Sequence, residues 1–190
     1  MAAIPLRPMR RREAGVVAVE FALVVPLLIL LAIPVFYVMW NVIAQTVITN
    51  AAREMANLAA RPDGYASGLT MQQIMDMVAV TTPPLETARY GNIYVTEIVA
   101  DSSCSGVSCQ GTVARKWRWN GAKGSAPPKP EWGTCQGQWS TRDGLCDKPP
   151  TTPIFLPYGY PGKRVFVAEV HYQLPSPGFD KEPLYAWAIF

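Results

Sequence analysis

The sequence predicts an α+β chain. One long apolar N-terminal helix runs on into a small domain built from a second helix and a sheet of three or four antiparallel strands. Three observations carry that reading. From Val16 to Trp40 there are 25 residues with a single charge, Glu20. Beyond Trp40 a helical pattern continues to about Ala60 and stops at Arg61-Pro62-Asp63-Gly64. Later segments alternate with the period of a strand. At 190 residues and 49% hydrophobic, the chain has room for one membrane span and one domain of about 100–150 residues.

A helix over residues 16–40 is about 37 Å long at about 1.5 Å per residue. That crosses a bilayer core of roughly 30 Å with some tilt. The apolar region of a secretory signal is shorter, about 7–15 residues, so the run reads as a retained membrane helix. Arg7, Arg10, Arg11 and Arg12 precede it, while the far flank has no charge until Arg53. Basic residues beside a span stay on the cytoplasmic side. The N-terminus is therefore expected in the cytoplasm, and everything after Trp40 outside, in the periplasm of a bacterium. The formal charge of +3 is accounted for by these arginines, so no nucleic acid is expected as a partner. Pro26 and Pro34 withhold donors from the carbonyls of Ala22 and Leu30 and are expected to kink or loosen the helix. Simple tolerance of proline in lipid is the plainer alternative.

Glu20 is the anomaly of this stretch, because a carboxylate in a membrane helix normally has a partner or a task. The segment Gly15 to Pro26 resembles the prepilin cleavage and assembly motif: a glycine, four apolar residues, then Glu-Phe. Its continuation through Ala22-Leu23 to Pro26 is similar to the TadE-like minor pilins or pseudopilins of tight-adherence (Tad) pili. The stretch Val165 to Tyr172 is similar to that family's C-terminal region. The resemblance implies a pilin-like fold and a basic leader, residues 1–15, removed between Gly15 and Val16 by an inner-membrane prepilin peptidase. It implies that Glu20, followed by Phe21, pairs with the N-terminal amine of a subunit during assembly. If the cut is made, Glu20 is the fifth mature residue, about 6 Å along the helix axis from the new amine. The implied partners are other pilin or pseudopilin subunits, the peptidase, an inner-membrane assembly platform and membrane lipid. The implied role is structural, in attachment or secretion, with no cofactor, no metal and no catalysis. Two alternatives stand beside it: a permanently anchored periplasmic binding or assembly protein, and an anchored hydrolase.

Residues 41–62 continue the helix outside the membrane, with Val42, Ile43, Thr46, Val47, Asn50, Ala51, Glu54, Met55 and Leu58 recurring at three and four. This half needs something to pack on, and a domain over residues 63–190 supplies it. A second helix is expected at Leu69–Val80, with Met71, Ile74, Met75 and Val78 on one face as core or as a partner groove. Strands are expected at Asn92–Ala100, Thr112–Trp119, Lys163–Leu174 and Tyr185–Phe190. Asn120–Pro161 reads as loop, rich in proline and glycine.

Cys104, Cys109, Cys135 and Cys146 in an oxidising compartment read as two disulfides. Pairing Cys104 with Cys109 and Cys135 with Cys146 closes local loops, although all three connectivities are open. Zinc is the rival, but Cys135 and Cys146, with ten residues between them, lack the usual pair spacing. His171 and Glu169 share a strand face, either as a base with its orienting carboxylate or as a solvated face. Arg115, Trp117 and Trp119, in a run that interleaves basic and aromatic residues, are candidates for a surface ligand contact or for core.

Overall fold

The computed structural model describes residues 11–61, 68–102, 109–123, 130–156, 162–175 and 183–190, with side chains from residue 18 onward. The chain forms two compact units, residues 1–42 and 43–190.

Helix α1 runs over Arg11–Ala60 and contains Pro26 and Pro34. In the first unit most of its large apolar side chains from Val19 to Val42 are exposed, between 50% for Val24 and 73% for Phe36, while Val25, Tyr37 and Trp40 are half-buried. It is the one helix among the described residues long and apolar enough to cross a membrane. A soluble helix would hide such a surface from water; here every side of it is apolar and open, as a lipid environment requires.

In the second unit the same helix becomes one-sided. Ala44, Ile48, Ala51, Ala52, Met55, Ala56 and Ala59 are each at most 4% exposed, a stripe at helical spacing whose alanines permit close packing. Gln45 Nε2 donates to Tyr185 O at 3.0 Å, which ties this stretch to the last strand. Helix α2, Met71–Val80, begins with a capping box between Thr70 and Gln73. Its face of Met71, Ile74, Met75 and Val78 is buried, so the methionines are core. A single turn, α3 (Thr87–Tyr90), leads into the sheet.

Among the described residues the sheet has five strands: β1 (Gly91–Ala100), β2 (Cys109–Arg118), β3 (Ile154–Leu156), β4 (Arg164–Tyr172) and β5 (Leu184–Ile189). Their order is β3-β2-β1-β4-β5 and every pairing is antiparallel. The sequence led us to expect three or four strands. The additional one is β3, three residues within the stretch read as loop, paired with Cys109–Gly111. A segment that short carries no periodicity of its own.

Register sorts the side chains into two faces, since alternate residues point to opposite sides. Val95 pairs with Ala168 and Trp117, and Val170 with Ile93 and Ala186; this face meets the helices, with Trp119 Nε1 donating to Asp76 Oδ1 of α2 at 2.7 Å. Thr96 pairs with Val167 and Lys116, and His171 with Tyr185. This second face is covered by the segment 130–156.

That segment is not structureless. Cys146 N donates to Lys116 O at 2.8 Å and Arg118 N to Gly144 O at 2.9 Å, so residues 144–146 lie against the outer edge of β2. Gly144 has φ +66°, and a Cβ there would run into Arg118 O and the Gln72 amide. Glycine is required where the loop meets α2, because Gln72 Nε2 donates to both Arg118 O and Asp143 O. A disulfide joins Cys135 and Cys146, with Cα atoms 5.9 Å apart. Cys109 is also disulfide-bonded; the Cys104 half of the expected pair lies outside the described residues.

Candidate functional site

Two places gather chemistry: the N-terminal end of α1 and the second face of the sheet. In α1, Gly15 and Val16 are helical. Glu20 and Phe21 follow in the same helix and are exposed, Phe21 by 69%. Glu20 is the only charge from Val16 to Trp40, so the span presents an apolar surface with one carboxylate near its start. Asn41 Nδ2 donates to Tyr37 O at 2.9 Å within the helix.

On the sheet, Glu169 and His171 are 0% and 4% exposed, which corrects the reading of them as a solvated strand face. Register puts them on the side that the 130–156 segment covers, and that cover is remote in sequence. Glu169 is the hub. Its Oε1 accepts from Glu131 N at 2.7 Å, Trp132 N at 3.2 Å and Tyr185 Oη at 3.3 Å. Its Oε2 lies 3.1 Å from Lys116 Nζ, and neither side chain of this ion pair reaches solvent. Lys116 Nζ also donates to Thr96 Oγ1 at 2.8 Å and Trp132 O at 3.0 Å. Burial holds the Lys116 ammonium below its ordinary pKa of 10.5, against the opposing pull of Glu169. Tyr94, whose ring centre is 5.8 Å from Nζ, has its phenol pushed up to about 12, chiefly by burial. Tyr185 is raised for the same reason, and the Glu169 charge adds to it.

His171 stands between Tyr94 and Tyr185, with ring centres 5.8 and 4.8 Å away. Its Nε2 is 4.0 Å from Glu169 Oε1 and has no hydrogen-bond partner. It is therefore neither oriented by the carboxylate nor open to a substrate, and among the described residues no serine or thiolate stands by it as a nucleophile. Burial, countered by Glu169, holds its imidazole below the ordinary 6.5. The unfolded chain takes up this proton near 6.5 and the folded chain only at lower pH. Below about 6.5 the unfolded state thus binds more protons, and stability falls as pH falls. We expect the unfolding midpoint to decline from about pH 7.5 to about pH 5 and the decline to shrink in His171→Gln; an unchanged slope in the variant would assign the effect to other groups.

The basic and aromatic run divides differently from a ligand platform. Trp117 and Trp119 are each 5% exposed and pack on the helix side, so they are core and not surface contacts. Arg115 is open, its side chain 57% exposed, and stands 3.9 Å from the buried Glu97, which Arg164 reaches at 3.0 Å. Lys116, which alternation placed opposite the tryptophans, is wholly interior. Sequence reading missed its pairing with Glu169; the available signal was an opposite charge on the same-facing position of two strands. Cys135, Cys146 and Asp147 have ligand atoms within 4.8 Å of one another, but both sulfurs are spent in the disulfide, leaving no thiolate for a metal.

No curated protein and no solved structure matches the chain. A family model does match it: residues 15–57 fit the model described as TadE-like protein. The match opens on Gly15, includes Glu20 and the whole apolar stretch, and ends within the buried stripe of α1. Over those residues the chain is similar to TadE-like proteins, a likeness consistent with a protein of Tad pilus systems.

Proposed function

We propose that this chain is a minor pilin or pseudopilin, a structural or assembly subunit of a Tad-type pilus serving adhesion, surface attachment or secretion. The observation that supports it most is the coincidence of the TadE-like match with an apolar, exposed helix bearing one acid five residues after Gly15. In this reading the arginine-rich leader stays in the cytoplasm and α1 crosses the inner membrane. The unit 43–190 folds in the periplasm, where its disulfides form. Prepilin peptidase cuts after Gly15, and the freed amine of Val16 and the Glu20 carboxylate pair between subunits. The helix then leaves lipid for a protein interior made of other such helices. The proline interruptions at Pro26 and Pro34 let it bend to fit. Its partners are other pilin or pseudopilin subunits, the peptidase and an inner-membrane assembly platform. The family is structural, and the buried setting of His171 gives a hydrolase nothing to work with.

The cut is tested by the mass of the protein taken from membranes. The expected mature chain starts at Val16, and Gly15→Val, whose branched side chain crowds the scissile bond, accumulates as the full-length precursor. A wild-type protein that keeps residues 1–15 would instead support a permanently anchored periplasmic protein and overturn the pilin reading.

A further inference from the structure

A primary amine and a carboxyl group held together in a dry interior are reactants as well as an ion pair. We infer that Lys116 and Glu169 condense into an intramolecular amide that ties β2 to β4 across β1. Nζ is 3.1 Å from Oε2, with both side chains fully buried. The other carboxyl oxygen, Oε1, is met by two main-chain N–H groups, of Glu131 and Trp132, and by the Tyr185 hydroxyl. Donors converging on one oxygen, with the nucleophile beside the other, form the arrangement that stabilises a tetrahedral oxyanion in acyl transfer. The strands fix both groups, so the entropy of encounter is already spent.

From the ion pair, one proton passes from Nζ to Oε2, leaving an amine and a carboxylic acid. On the lysine side burial favours this step, since it penalises the ammonium and lowers its pKa. The nitrogen lone pair adds to Cδ and the carbonyl π pair moves onto Oε1. There the charge, shared over two oxygens in the carboxylate, rests on the one oxygen that the three donors face. A second proton moves from nitrogen to Oε2, the oxygen 3.1 Å from Nζ in the starting pair. The Cδ–Oε2 bond breaks, water leaves and the carbonyl re-forms. One C–N bond is made, one C–O bond is broken, and no co-reactant is consumed. The product is a neutral amide where two ions stood, which removes the desolvation penalty that buried ions carry.

The test is the intact mass of the full chain, extracted in detergent and fully reduced so that disulfides contribute nothing. Condensation lowers the mass by one water relative to the sequence, and digestion gives a branched peptide joining Lys116 to Glu169. The double variant Lys116→Met with Glu169→Leu, which leaves no lone buried charge, is expected at its full sequence mass. A folded wild-type chain at full sequence mass, cleaved by trypsin after Lys116 once denatured, overturns the amide; so does a water loss that persists in the double variant. The N-terminus is read in the same spectrum, so failure of the cut after Gly15 and failure of the amide are separate outcomes.

Discussion

A Glu20→Ala chain is expected to insert into the membrane as well as the parent and to be nearly absent from assembled filaments. Insertion is not harmed, because removing a carboxylate from a span relieves a cost of about 2.5–3.5 kcal/mol at the helix centre. Assembly is harmed because of what remains. In the proposed pilin, with Val16 freed, each subunit would carry an ammonium at the end of an apolar helix, and packing that helix among others would take the charge out of water. Breaking a buried pair by removing one partner costs about 3–5 kcal/mol, or roughly two to three and a half decades in incorporation at about 1.4 kcal/mol per decade. Quantifying the variant in sheared filaments against its level in membranes checks this. Incorporation at the parental ratio would show that Glu20 has no part in assembly.

Glu169→Ala is expected to be the most damaging single change in the unit 43–190. It strands the Lys116 ammonium, which is 0% exposed, and leaves the main-chain donors of Glu131 and Trp132 facing a void. The lost partner alone costs about 3–5 kcal/mol, against a total stability of about 5–15 kcal/mol for a typical domain. At about 2–4 °C per kcal/mol for a chain of this size, the midpoint should fall by about 6–20 °C. Loss of an amide tether at the same place would deepen the fall. Arg115→Ala serves as the control, since an exposed ion pair contributes about 0–1 kcal/mol. Thermal unfolding followed by circular dichroism in detergent decides it, and a Glu169→Ala midpoint equal to that of Arg115→Ala would remove the hub role.

The elements that sequence reading found are those whose pattern is local. The apolar run from Val16, with its single charge, and the Pro62 stop locate α1, which starts five residues earlier at Arg11 and ends at Ala60, and the alternation around Val95, Trp117 and Val170 marks three long strands. Ile154–Leu156 escaped because three residues define no period and gain strand geometry only from the β2 edge beside them. Which side of a strand is wet was also illegible. Glu169 and His171 read as a solvated strand face, but the residues that dry Glu169, namely Glu131 and Trp132, lie more than thirty positions from it. At the N-terminal end, the spacing of Gly15 and Glu20 is visible in the sequence alone, because the role proposed for it lies in a peptidase and in neighbouring copies.

The strip of residues 144–146 along β2, continued by β3, has a consequence for life in a crowded bilayer. A bare sheet margin offers its row of amides to any similar margin, and copies concentrated in two dimensions would meet often enough to zip into insoluble ribbons. Here one margin is already occupied by the chain's own backbone, fastened by Cys135–Cys146. At the other, the Tyr185 carbonyl is taken by the Gln45 amide. In the proposed pilus subunit, copies side by side in lipid would thus be guarded against pairing through these two margins.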